Sequence, residues 1–321
     1  MSETMPLFTY EAHIDPRQVR ADTLVVTLGG FVDAGHTQRL VDHQVREGLE
    51  SHRIGTFDAD VLVDHRAERP GITFAGDRFT DYEPPELVLL QATDSAGTPF
   101  LLLRGPEPDF RWEELAATIE RLVDDHEVRT TVFVQGIPMS TPHTRPVQVT
   151  RWASRPELIP GNRPLFGTIR MHASFPSMLA LRLGEAGHDV IGLAAHVPHY
   201  LAPGDYPDAA LAVIESLRTT AGIALPTAPL ELVRSAVRAE IDEQVASSEE
   251  TREMVAELEH QYDRFMAEHR LEAAPRPVDL PSADEIAAEA EKFLRSLDEP
   301  PAGDGPSTGD EPPTGDEPPQ G

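Results

Sequence analysis

Thr23-Leu24-Val25-Val26-Thr27-Leu28 runs straight into Gly29-Gly30-Phe31-Val32-Asp33-Ala34-Gly35, and apolar residues then recur at Leu40, Val41, Val45 and Leu49. The first six residues are a short, β-branched run without polar alternation, the pattern of a strand covered on both faces. The three- and four-residue steps that follow predict a helix over 35–50. A buried strand, a glycine turn and a helix are the repeating unit of an α/β sheet.

The neighbouring segments extend the same pattern. Strands are expected at 61–63, 72–74, 87–92, 100–103, 130–135, 147–150 and 189–195, and helices at 110–126, 175–186 and 207–220. Asp94-Ser95-Ala96-Gly97 is a turn signal that makes 87–92 and 100–103 a hairpin, so the sheet is mixed. The expected fold is α/β, with a mostly parallel sheet covered by helices, spanning residues 1–226.

Beyond Pro226 the pattern becomes helical. Leu230, Val233, Val237, Ile241 and Val245 mark one helix, Met254, Val255, Leu258, Tyr262, Phe265 and Met266 a second, and Ser247-Ser248-Glu249-Glu250 fits a capping box between them. A helical hairpin is therefore expected over 227–272. A linker and short helix, opened by Ser282-Ala283-Asp284-Glu285, follow over 273–297. Residues 298–321 repeat Asp-Glu-Pro-Pro three times and hold seven acids and no base. Such a tail cannot offset its ordering entropy and is expected to be disordered.

The 321 residues carry 27 Lys+Arg against 55 Asp+Glu, a net charge of −28, which opposes broad attraction to nucleic acid or anionic lipid. No apolar run reaches the ~18 residues of a membrane span, and the acidic start lacks a signal-peptide pattern. A cytoplasmic protein is the expectation. The chain has no cysteine, which excludes disulfides and thiolate chemistry. Residues 131–170 reverse the charge, with Arg145, Arg151, Arg155, Arg163 and Arg170 against Glu157 alone. That island is either a solvated face matched by acids from elsewhere in the fold or an anion site.

The chemistry-bearing candidates lie in loops at strand ends, where open α/β sheets bind ligands. Gly29, Gly30, Phe31 and Asp33 form the first group, with Asp33 also placed to cap the following helix. Gly136, His143 and Arg145 form the second, and His196, His199 and Tyr200 the third. No dinucleotide or P-loop glycine motif is present. His196 and His199 flank a proline and lack an adjacent acid, so no metal is expected, and no G-x-S-x-G elbow supplies a nucleophile. No catalytic residue and no cofactor is assigned. Trp112 and Trp152 read as packing anchors.

Three blocks in order carry a family resemblance: 24–35 as quoted; Val134-Gln135-Gly136-Ile137-Pro138-Met139 with Thr141-Pro142-His143-Thr144-Arg145-Pro146; and His196-Val197-Pro198-His199-Tyr200-Leu201, continuing to Tyr206-Pro207-Asp208-Ala209-Ala210. Together they resemble the actinobacterial branch of the proteasome assembly chaperone two family. The resemblance implies a sheet-and-helix sandwich like that of nucleoside phosphorylases and hydrolases. It also implies a homo-oligomer, with a trimer expected, and a non-catalytic interaction role whose partners are proteasome-related or other protein complexes. Family members that engage proteasomes often end in a hydrophobic–tyrosine–any tail; the last residues here are Pro318-Pro319-Gln320-Gly321, so a different docking mode is expected. The alternative is a phosphorylase-like enzyme or nucleotide binder, with Gly29, Gly30, Asp33, Gly136, His143 and His196 lining one pocket and Arg145 or Arg151 holding phosphate.

Overall fold

A computed structural model describes residues 6–273 apart from 30–32, 68 and 165–166, with side chains described to residue 268. The linker, the short helix after Ser282 and the acidic tail lie outside the described residues. The elements in chain order are β1 (Phe8–Tyr10), β2 (Thr23–Gly29), α1 (Thr37–Gly48), β3 (Ser51–Phe57), α2 (Ala59–Leu62), β4 (Thr73–Ala75), β5 (Arg78–Thr80), β6 (Val88–Thr93), β7 (Pro99–Pro106), α3 (Trp112–Asp125), β8 (Thr130–Met139), β9 (Val149–Ala153), α4 (Phe175–Glu185), β10 (Asp189–Pro198), α5 (Pro207–Ala221), α6 (Ala228–Ser247) and α7 (Glu249–Ala273). Residues up to Phe265 make one unit; the described part of the second, from Met266, is the end of α7.

Eight strands form one sheet in the order β1-β3-β6-β7-β2-β8-β10-β9. β7, β2, β8 and β10 are parallel to one another; β1, β3 and β6 join antiparallel on one side and β9 on the other. Register sorts the side chains into two layers. Leu102, Val25, Val132 and Ile191 stand in one cross-strand row and pack on α1, α5 and α6. One residue along, Leu103, Val26 and Phe133 pack on α3 and α4. Each such buried aliphatic side chain contributes about 1.5–3 kcal/mol. The continuous apolar runs in the sequence are therefore strands buried on both faces.

Three segments differ from the sequence reading. Residues 61–63 are not a strand: the chain makes the single helical turn α2, whose Leu62 is fully buried while its carbonyl accepts the Asp109 and Phe110 amides. Three apolar residues are too few for periodicity to tell strand from helix. Residues 72–74 do give a strand, but in a separate two-stranded hairpin of β4 and β5. Ser51–Phe57 is a strand the sequence hides, because a register shift between Arg53 and Gly55 breaks its alternation. Gly55 is needed there: a Cβ would meet Phe8 Cζ at 2.4 Å. At the α6–α7 junction, Ser247 ends α6 and Ser248 caps α7, its hydroxyl accepting the Thr251 amide at 3.3 Å. Among the described residues no helix is long and apolar enough to cross a membrane.

Candidate functional site

Gly29 ends β2, and the chain re-enters the described residues at Asp33; Gly30 and Phe31 lie outside them. The Asp33 carboxylate accepts the Gln38 amide at 2.7 Å and the Arg39 amide at 3.4 Å, so it fills the amino end of α1 that would otherwise face an anion. Behind it, Ala34–His36 form a tight turn with Gly35 at φ 65°. The Gly35 amide donates to Ala202 O (2.8 Å), and the Tyr206 amide donates to Gly35 O (3.0 Å). His36 Nδ1 lies 2.6 Å from Asp205, which also takes Arg39. On the other side of the turn, β8 presents Gly136, where a Cβ would stand 2.1 Å from Ala34 O. The loop is thus clamped between β8 and the 200–206 segment.

Burial raises the Asp33 carboxyl above its ordinary value, against the opposing pull of the two amides and of His36 and Arg39. A carboxyl raised in this way contributes stability that is full at low pH and declines as pH rises through its folded value. The amide oxygen introduced by Asp33→Asn would keep an acceptor for α1 without burying a charge. We expect Asp33→Asn to lie within about 0.5 kcal/mol of wild type and Asp33→Ala to lose about 1 kcal/mol in urea unfolding. Equal midpoints for the two variants would refute the capping role.

The second and third residue groups meet elsewhere, under the C-terminal helices. His143 Nδ1 is 2.6 Å from Tyr200 Oη, the His143 amide donates to the same oxygen at 3.0 Å, and His143 Nε2 lies 3.5 Å from Asp242 of α6. Burial lowers the His143 imidazole against the pull of Asp242. Arg145 forks onto Asp263 of α7 at 2.9 and 2.8 Å and reaches Glu259 at 3.2 Å, while Thr144 donates to Glu259. Tyr262 Oη donates to Pro146 O (3.2 Å) and receives Gln148 Nε2 (2.9 Å). Residues 143–148 are the seat of α7. His196, on β10, is buried with its Nε2 2.7 Å from Thr150 Oγ1, and its imidazole is lowered to about 4 by burial. His199 is exposed, its ring edge-on to Tyr200.

A cavity of about 750 Å³ does open at the ends of β2 and β7, walled by Gly29, Asp33 and Gly105 and by the 69–71 and 83–86 segments. Gly136, His143, Arg145, His196, His199 and Tyr200 are not among its lining residues. Its charges are largely matched: Asp42 receives Arg104 (2.8 Å) and Arg46 (3.1 Å), and Glu86 receives Arg53 (2.9 Å). In the arginine island, Arg155 likewise forks onto Asp189 at 2.8 and 2.7 Å, and Arg151 stands on β9. Among the described residues no three His, Asp or Glu side chains gather as metal ligands. The contacts that organise these loops (Asp205, Asp208 with Arg238, Glu259, Tyr262 and Asp263) come from far along the chain and carry no local motif.

Comparison with curated proteins found no match. Among solved structures, a protein of unknown function from Mycobacterium tuberculosis is 38% identical, with a TM-score of 0.79 over 84% of this chain and 93% of that one. A protein of unknown function from Corynebacterium glutamicum is 31% identical, with a TM-score of 0.75 over 80% of this chain and 97% of that one. A proteasome-assembly chaperone homologue from M. tuberculosis shares the fold at 22% identity, with a TM-score of 0.65 over 73% and 99% of the two chains. The PAC2 family model matches residues 27–245, a stretch that takes in the clamped loop, the His143–Arg145 seat and the whole of α5. With these relatives on either side of it, the chain belongs to the PAC2 family, in its actinobacterial branch.

Proposed function

We propose that this chain is a non-catalytic protein-interaction module of the chaperone type, working as a homo-oligomer with a trimer as its stoichiometry. Its partners are proteasome-related protein complexes, and it requires no cofactor, nucleic acid or membrane. It works in the cytoplasm through the α/β body of residues 1–226 and the helical hairpin of 227–272, with the linker (273–297) and acidic tail (298–321) as appendages. One observation carries this reading: the residues best suited to ligand chemistry are spent on architecture. Asp33 stoppers the amino end of α1, Arg145 latches α7, and His196 is buried against Thr150. Membership of the PAC2 family supports the same role. The full chain mixed with purified proteasome α-subunits of its own organism is expected to co-sediment with incomplete α-rings and to raise the yield of complete ones. Unchanged ring assembly and no co-sedimentation at any protein ratio would count against it.

A phosphorylase-like ligand role is favoured by one feature, the cavity of about 750 Å³ at the strand ends. Thermal-shift titration with phosphate, nucleosides and nucleotides separates the two readings. No shift is expected, and a saturable shift abolished by substitutions in the cavity wall would replace the interaction reading.

A further inference from the structure

Residues 71–79 are exposed without interruption, yet they are folded. β4 and β5 pair with Phe74 opposite Phe79, ring centroids 5.1 Å apart, and the Glu83 amide closes the base by donating to Gly71 O at 2.9 Å. Ile72, Phe74, Phe79 and Tyr82 are 53%, 61%, 67% and 53% exposed. A lone two-stranded hairpin is marginal in water, and this one buries none of residues 71–79 against its own body. It is an apolar arm.

The opposite margin of the sheet carries a receptor of matching character. Edge strand β9 and helix α4 bound an open groove of about 610 Å³ lined by Trp152, Met171, Pro176, Ala180, Leu181 and Gly184. Leu181 is 57% and Met171 75% exposed. The groove floor is built, because Trp152 lies over Gly192, where a Cβ would come within 1.8 Å of the indole, and stacks on Phe133 at 6.1 Å. The arm leaves the sheet between β3 and β6, and four strands separate β6 from β9.

We propose that the arm of one copy enters the β9–α4 groove of the next. This rests on the homo-oligomeric reading above and supplies its contact. The arm's four side chains offer roughly 400–500 Å² at their observed exposures. With an equal area from the groove, each contact approaches the ~1,000 Å² that a specific interface requires. Arm and groove are different surfaces, so the contact is heterologous and generates a ring when the rotation closes. In a closed ring each copy is held twice, which lets a small contact suffice.

The test compares full-length wild type with an arm variant (Phe74→Ser with Phe79→Ser) and a groove variant (Leu181→Glu), using sedimentation velocity over a wide concentration range. All the substituted side chains are exposed, and circular dichroism with the thermal midpoint verifies folding. Each variant alone is expected to sediment as a monomer where wild type is a ring. An equimolar mixture should form a one-to-one dimer and nothing larger, since one partner brings only a groove and the other only an arm. Variants that keep the wild-type mass, or monomeric variants whose mixture stays monomeric, would overturn the arm-in-groove contact while leaving the homo-oligomer standing. A wild type that is monomeric throughout would overturn the oligomeric reading itself.

Discussion

Gly136→Ala is expected to destabilise the protein by about 3 kcal/mol, the upper end of overpacking penalties. The new methyl would stand 2.1 Å from Ala34 O, 2.4 Å from Thr37 Oγ1 and 3.0 Å from Thr37 Cβ. The nearest of these is backbone, and it cannot swing aside as a flexible side chain would. Ala34 sits in a turn whose next residue is held by hydrogen bonds to Ala202 and Tyr206, so a shift there pulls the 200–206 segment with it. The other direction is blocked as well, because Gly136 is paired in register with Ala195 in the parallel centre of the sheet. For a body of this size the loss corresponds to a fall of roughly 6–12 °C in Tm. Gly29→Ala is the matched control, since a Cβ there meets nothing within 4 Å. Calorimetry that finds the two variants equally stable would disprove the close approach of the 33–37 loop to β8.

Acid should unfold this protein earlier than its carboxylates alone require, through His196. Burial holds the folded imidazole neutral down to about pH 4, whereas in the unfolded chain it takes its proton near 6.5. The resulting stability is complete above 6.5 and is lost as pH falls from there to 4, because over that span only the unfolded state binds the proton. The full difference is worth about 3 kcal/mol. Burial also pushes His126 and His143 downward, which adds in the same sense, while the raised Asp33 carboxyl acts in the opposite one. His196→Gln keeps a partner for Thr150 and removes the titration. Its stability should fall less steeply than that of wild type between pH 6.5 and 4 in chemical denaturation. Parallel curves for the two proteins would show that His196 does not titrate on unfolding.

The strands most legible in the sequence are those buried on both faces. Val25, Val132 and Leu193 lie in runs that no solvent-facing residue interrupts, so hydrophobicity alone locates β2, β8 and β10. Ser51–Phe57 is hidden for the converse reason: it lies toward the margin of the sheet, half its residues reach solvent, and a bulge shifts its phase. The candidate residues are legible as loop positions at strand ends but not as two separate groups. Nothing near Arg145 in sequence announces that its carboxylates stand on a helix more than a hundred residues away.

The chain itself therefore determined the layered α/β body and the helical hairpin after it, because periodicity and capping are local properties of the backbone and its neighbours. It also determined the family, through three short blocks whose order survives in the linear text. Only the tertiary structure decided which charges cancel, which glycines are held to no side chain, and which apolar side chains are left without cover. Those outcomes depend on pairs such as Gly136 with Ala34, Arg145 with Asp263 and Trp152 with Gly192. Their members are brought within contact distance by the strand order, and no local rule of spacing encodes that order.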